Sequence, residues 1–203
     1  MTTDGRKPMS ENKLGAIDAL IAAVAPPPSG GVADVDWTRF EKALGFAAPV
    51  DYREIVGRYG VGQFSGEFYV FAPGGSTGQD VYEESATFLD IIGDPTWQES
   101  VDALGTQWLH PDGSRTAIDL VGGEAAFQPW GGGSGGGYGY WHTIGDDPNG
   151  WPAVYTDLAG VWLYDRDGLA SLLLAAVSGR FPADAVHPSV SEEPEFILFE
   201  SYH

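Results

Sequence analysis

The residues best equipped for chemistry lie in the second half of the chain. Gly131-Gly132-Gly133-Ser134-Gly135-Gly136-Gly137 satisfies both the nucleophile-elbow pattern around Ser134 and the dinucleotide pattern through Gly131, Gly133 and Gly136. Either chemistry needs a helix immediately afterwards, because the helix N-terminus supplies the donors that hold an oxyanion or a phosphate. Tyr138 to Ile144 alternates like a strand instead, so the run is expected to be a flexible hairpin loop flanked by Trp130, Tyr138 and Tyr140. The histidines, His110, His142, His187 and His203, have no pairwise ligand spacing, and there is no cysteine to complete a zinc site. Asp146, Asp147 and Asp157 imitate a calcium loop but lack the alternation of ligands that ends in a bidentate glutamate. Two carboxylates could serve glycoside hydrolysis, yet nothing in so acidic a chain selects a pair. The expectation is no enzyme, no cofactor and no metal.

Charge points towards binding. The formal net charge is -19, and it is uneven: up to Arg58 there are 7 basic and 8 acidic residues, and from Tyr59 onward 3 basic (Arg115, Arg166, Arg180) against 21 acidic. Such a surface repels nucleic acid and anionic membrane and speeds encounter with a basic partner. Solubility alone accounts for acidity equally well. Candidate partner contacts are Asp80, Glu83, Glu84, Asp146, Asp147 and Asp165, with Tyr138 beside the glycine loop. Trp97, Trp108 and Trp130 lie near expected turns and would be interface anchors if exposed. The lack of cysteine favours a reducing cytoplasm. Glu11, Asp18 and Pro26 spoil the signal-peptide reading of the N-terminus, and no apolar run approaches the roughly 18 residues of a membrane span.

The elements that must carry these residues begin with a helix over Asn12 to Val24, with Leu14, Ile17, Leu20, Ile21 and Val24 on one face. A linker, Ala25 to Val35, follows with Pro26-Pro27-Pro28 and predicts a loosely attached helix. Asp36 is a good N-cap for a helix from Trp37 to Leu44, closed by Gly45, and Pro49 starts another that Gly60 ends. Trp37 and Leu44 are expected on the buried face. Phe64 to Phe71 reads as a strand, Gln79 to Gly93 as an exposed amphipathic helix, and Trp97 to Leu109 as a further helix. Short β-like runs follow near 116–121, 125–130, 137–144, 153–157 and 160–164, an antiparallel meander. The leucine-rich stretch from Asp167 to Val177 should pack on that sheet.

The order of these pieces resembles the SUKH superfamily of fungal cell-wall-synthesis regulators and bacterial toxin-immunity proteins. The likeness lies in Trp37-x-x-Phe40-Glu41-x-x-Leu44-Gly45, Pro49-Val50-Asp51-Tyr52-Arg53 and Tyr59-Gly60-Val61-Gly62. It continues through Pro129-Trp130-Gly131, Tyr140-Trp141, Asp147-Pro148-x-x-Trp151-Pro152 and the helix near Leu169 to Leu174. It covers about residues 37–180; the first helix, the tail, the stretch from Gln79 to His110 and the glycine run depart from it. The expected organisation is an N-terminal helix and linker (1–35), one α+β domain (36–181) and an acidic tail (182–203). The domain would hold N-terminal helices, an antiparallel sheet of about five strands and a C-terminal helix packed on it. The resemblance implies an α+β fold and a binding role; together with the acidic surface, the expectation is an immunity protein that occludes the active site of a basic, nuclease-like or nucleotide-modifying toxin. A regulatory adaptor of the same fold and, behind it, a carboxylate-based hydrolase are the alternatives.

Overall fold

Asp36 and Pro49 each start a helix at the expected place. The computed structural model describes residues 9–32, 34–75, 78–96, 99, 106–118, 127–158, 160–182, 185–186 and 193–199. Its helices are α1 (Met9–Ala23), α2 (Trp37–Leu44), α3 (Val50–Tyr59), α4 (Val81–Gly93) and α5 (Leu169–Val177). The Asp36 carboxylate accepts the Arg39 backbone N–H at 2.9 Å, and Gly45 closes α2 at φ 83°, a left-handed geometry that costs glycine nothing.

The strands are β1 (Gly62–Phe64), β2 (Phe68–Val70), β3 (Gln107–Leu109), β4 (Arg115–Ala117), β5 (Phe127–Gly133), β6 (Tyr138–His142), β7 (Ala153–Thr156), β8 (Trp162–Asp165) and β9 (Phe196–Leu198). Among the described residues they form one nine-stranded mixed sheet, ordered β4-β3-β8-β7-β6-β5-β2-β1-β9. The expectation of about five antiparallel strands therefore falls short in number and in direction, because β3 runs parallel to β8. Two features account for the difference. The stretch expected as one strand from Phe64 to Phe71 folds back on itself, with Ser65 and Gly66 both at positive φ. Trp108 and Leu109, expected at the end of a helix, lie in β3; most of that expected helix, 97–98 and 100–105, lies outside the described residues. The tail adds β9 to the outer side of β1.

Alternation along β6 sorts the helices into two layers. Trp141 points to one face, where it meets Tyr52 of α3 edge-on at 5.1 Å; Tyr140 points to the other, where its hydroxyl donates to the Phe88 carbonyl of α4 at 2.9 Å. Helices α1 and α5 pack with α3, so three helices cover one face and α4 covers part of the other.

The linker does not leave α1 loose. Ile17, Leu20 and Val24 are buried in the common core, whereas Leu14 is 45% exposed and Ile21 half-buried. The buried stripe is Lys13, Ile17, Leu20 and Val24, with Lys13 in the buried place that Leu14 was expected to take. Its ammonium reaches the enclosed Asp51 carboxylate at 3.1 Å, and the same oxygen accepts the Leu169 and Ala170 backbone N–H groups at 2.8 and 3.4 Å. One carboxylate thus holds α1, α3 and the start of α5 together.

Candidate functional site

The seven expected partner contacts fall into three places. Asp80 is the N-cap of α4, its two oxygens accepting the Tyr82 and Gly74 backbone N–H groups at 2.7 and 3.0 Å. Glu83 and Glu84 occupy the first turn of α4, exposed and half-buried respectively, where negative charge complements the helix dipole. Tyr138 is half-buried and meets Phe88 of α4 edge-on at 5.2 Å. Between them stands Tyr69: burial, then the charges of Glu84, Tyr138 and Glu67, push its hydroxyl pKa upward. Glu84 and Tyr138 thus lie near each other around Tyr69, with Asp80 and Glu83 beside Glu84 at the start of α4.

Asp146 and Asp147 lie beyond the opposite end of β6. Both are exposed, and Asp147 caps the short 3-10 turn Pro148–Gly150 by accepting from the Asn149 backbone N–H at 3.0 Å. Asn149 in turn accepts the Val50 N–H at 2.9 Å, which fixes this loop to the start of α3. Asp165, at 3% exposure, is no part of the exposed acidic surface.

The glycine run is a hairpin as expected, but it is anchored rather than flexible. The fully buried Glu67 carboxylate accepts the Gly135 N–H through both oxygens, at 3.2 and 3.0 Å, and also a hydrogen bond from the Tyr155 hydroxyl. Ser134 donates its backbone N–H to the Glu67 carbonyl at 3.0 Å and its hydroxyl to Gln63 at 2.9 Å. The glycines are there for room: a Cβ on Gly133 or Gly137 would collide with the Tyr155 hydroxyl, and one on Gly139 would lie 2.6 Å from the Trp130 ring. Trp130 and Trp108 are buried and are not exposed anchors; Trp97 lies outside the described residues.

A cleft of about 750 Å³ went unnoticed in the sequence. It lies between the turn joining β3 to β4 and the C-terminal end of β8. His110 and His142, distant in sequence, both pack on Tyr164, at 5.4 and 6.2 Å between ring centroids, with Trp108 behind at 4.9 Å from Tyr164. Arg166 and Arg180 stand exposed at its rim. Asp165 accepts the Asp167 N–H at 2.9 Å through one oxygen, and its other oxygen has no hydrogen bond of normal geometry. Burial raises its pKa, against the opposing pull of the Asp167 N–H and the Ser171 hydroxyl. Period-two spacing could have signalled the cleft, since Trp108/His110, Tyr140/His142 and Trp162/Tyr164 each share a strand face. Reading Trp108 as helical hid it. Among the described residues, no three His, Asp or Glu side chains gather to hold a metal ion, and no helix is long and apolar enough to cross a membrane.

No protein-family model matches the chain, and neither do the curated proteins or the solved structures compared with it.

Proposed function

We propose that the chain is an immunity-type binding protein that neutralises a basic protein toxin by covering its active site. The observation that carries this reading is the surface formed by the first turn of α4 and the glycine hairpin, where Glu84 lies near Tyr69 and Tyr138 and Glu83 shares its helical turn. Half-buried tyrosines offer large contact area at small entropic cost, and the surrounding carboxylates speed encounter with a positively charged partner. Glu67 holds the hairpin in place beforehand, so little ordering is left to be done on binding. The resemblance of residues 37–180 to the SUKH superfamily supports the same role, and the absence of cysteine suits a cytoplasmic site of action. Inhibition would be stoichiometric and steric, with no bond made or broken.

The test begins with the partner that co-purifies from the native cell. It should bind one to one and lose its activity at that ratio. Glu83→Lys with Glu84→Lys should slow association and flatten its dependence on salt, because exposed charges more than about 8–10 Å apart are screened at physiological ionic strength. Tyr138→Ala should chiefly speed dissociation. A partner that keeps full activity when saturated, or an association rate indifferent to the charge reversals, refutes the proposal.

A further inference from the structure

The fork between β3 and β8 offers contacts that a protein-binding role on α4 leaves unused. The two strands share one paired position, Leu109 with Leu163, and part beyond it, which opens the cleft of about 750 Å³. Pockets of roughly 300–1,000 Å³ hold small-molecule ligands. Three of its features are independent of one another. One wall is aromatic, made by the half-buried Tyr164 backed by Trp108 and met edge-on by His110, and beside it Ile144 is 48% exposed. On the other face of β8 from Tyr164, the Asp165 carboxylate is 3% exposed and lines the cleft with one oxygen lacking a hydrogen bond of normal geometry. Such an acceptor wants an N–H donor. At the rim are Arg166 and Arg180. From Tyr59 onward the chain has only three basic residues against 21 acidic ones, and two of the three line this one cleft.

We propose that the cleft binds a small planar heteroaromatic anion of the nucleoside monophosphate class. The base lies against Tyr164 and His110, an amino group on its edge reaches through the fork to donate to the under-satisfied oxygen of Asp165, and the phosphate takes the guanidinium groups of Arg166 and Arg180. Asp112 and Asp167, both exposed on the same cleft, limit the negative charge it accepts, which disfavours di- and triphosphates and nucleic acid strands. Burial of a carboxylate whose ionised form is destabilised fits a position kept for binding rather than for stability. This site does not depend on the surface of α4, so the two proposals stand or fall separately.

Calorimetric titration of the full chain with AMP, GMP, CMP and UMP tests the assignment, with adenosine, inorganic phosphate and free tyrosine as comparison ligands. At least one amino-bearing nucleotide, AMP, CMP or GMP, should bind at roughly millimolar Kd or tighter, and more tightly than UMP, adenosine or phosphate. Arg166→Gln with Arg180→Gln, both at exposed positions, should keep the native circular dichroism spectrum and weaken binding about tenfold or more. Asp165→Asn should move the preference from the amino-bearing nucleotides, AMP, CMP and GMP, towards UMP. The proposal is overturned by any of four results: no monophosphate binds at millimolar concentration, phosphate or tyrosine binds as tightly as the nucleotides, the arginine double variant binds unchanged, or Asp165→Asn leaves the base preference where it was.

Discussion

Removing the Asp51 carboxylate should be among the most damaging single changes in the molecule. Asp51 is fully buried and accepts from Lys13 Nζ at 3.1 Å, from the Leu169 N–H at 2.8 Å and from the Tyr52 N–H at 3.0 Å. Asp51→Ala leaves the Lys13 ammonium, 3% exposed, without its counter-charge, and leaves the first N–H groups of α5 without an acceptor. Breaking a buried ion pair by removing one partner costs about 3–5 kcal/mol, and each buried donor left unpaired costs about 1–3 kcal/mol. These costs overlap, so a loss of about 4–6 kcal/mol is expected, a large part of the roughly 5–15 kcal/mol that holds a domain folded. Lys13→Met should cost less, because the carboxylate keeps its backbone donors at the N-terminus of α5 and the methionine fills the space. The double change Lys13→Met with Asp51→Asn should cost less than the sum of the single ones, since no charge then remains buried. Urea unfolding followed by tryptophan fluorescence, with constant m values, gives all three numbers. If Asp51→Ala lies within about 1 kcal/mol of the parent, or is milder than Lys13→Met, then the carboxylate does not bind the three helices together and the reasoning fails.

Three further outcomes are expected. Burial raises the folded-state pKa of Asp165, so its contribution to stability is fully present below the unfolded value, near 3.8, and is lost as pH rises through the raised folded one. Asp165→Asn should therefore raise the Tm at pH 7 and leave it almost unchanged at pH 3, and an equal shift at both would show that the charge is not responsible. Gly133→Ala sets a methyl against the Tyr155 hydroxyl and the Glu67 carboxylate, which should cost at least about 1–3 kcal/mol and speed amide exchange at Gly135; unchanged exchange there would mean that the hairpin is not held through Glu67. Leu44→Ala should cost only about 1 kcal/mol because Leu44 is half-buried, whereas Phe40→Ala, at a fully buried position, should cost about 3–5 kcal/mol. Thermal unfolding of both variants would expose an inverted order.

What could be read from sequence was the local chemistry. Asp36, Gly45, Pro49 and Gly60 bound their helices as expected because a cap or a stop acts within a few residues. The surface of α4 was legible for the same reason, with Asp80, Glu83 and Glu84 within one turn of each other. What escaped depends on distant pairing. β3 is three residues long and owes its existence to β4 on one side and β8 on the other, so no window around Trp108 contains its cause. Lys13 belongs by type on the polar side of α1, and only Asp51, 38 residues further on, draws it inward. The cleft draws its residues from β3, β6 and β8 and from the ends of α5. The glycine run was recognised as a hairpin, but its anchor comes from Glu67, 68 residues before Gly135.

The Asp51 junction also sets a timetable for folding. Leu169 lies 118 residues after Asp51, and at a synthesis rate of about 5–20 residues per second the ribosome needs on the order of ten seconds to make that stretch. Throughout that interval α1 can meet α3 but has no α5 to dock against, so the part of its apolar face that α5 covers stays uncovered. The nascent chain therefore presents a partly covered amphipathic helix until almost the whole sheet has been made. Chaperones that capture short apolar helices should find their target there, and a pause in translation before Gly168 would lengthen their opportunity.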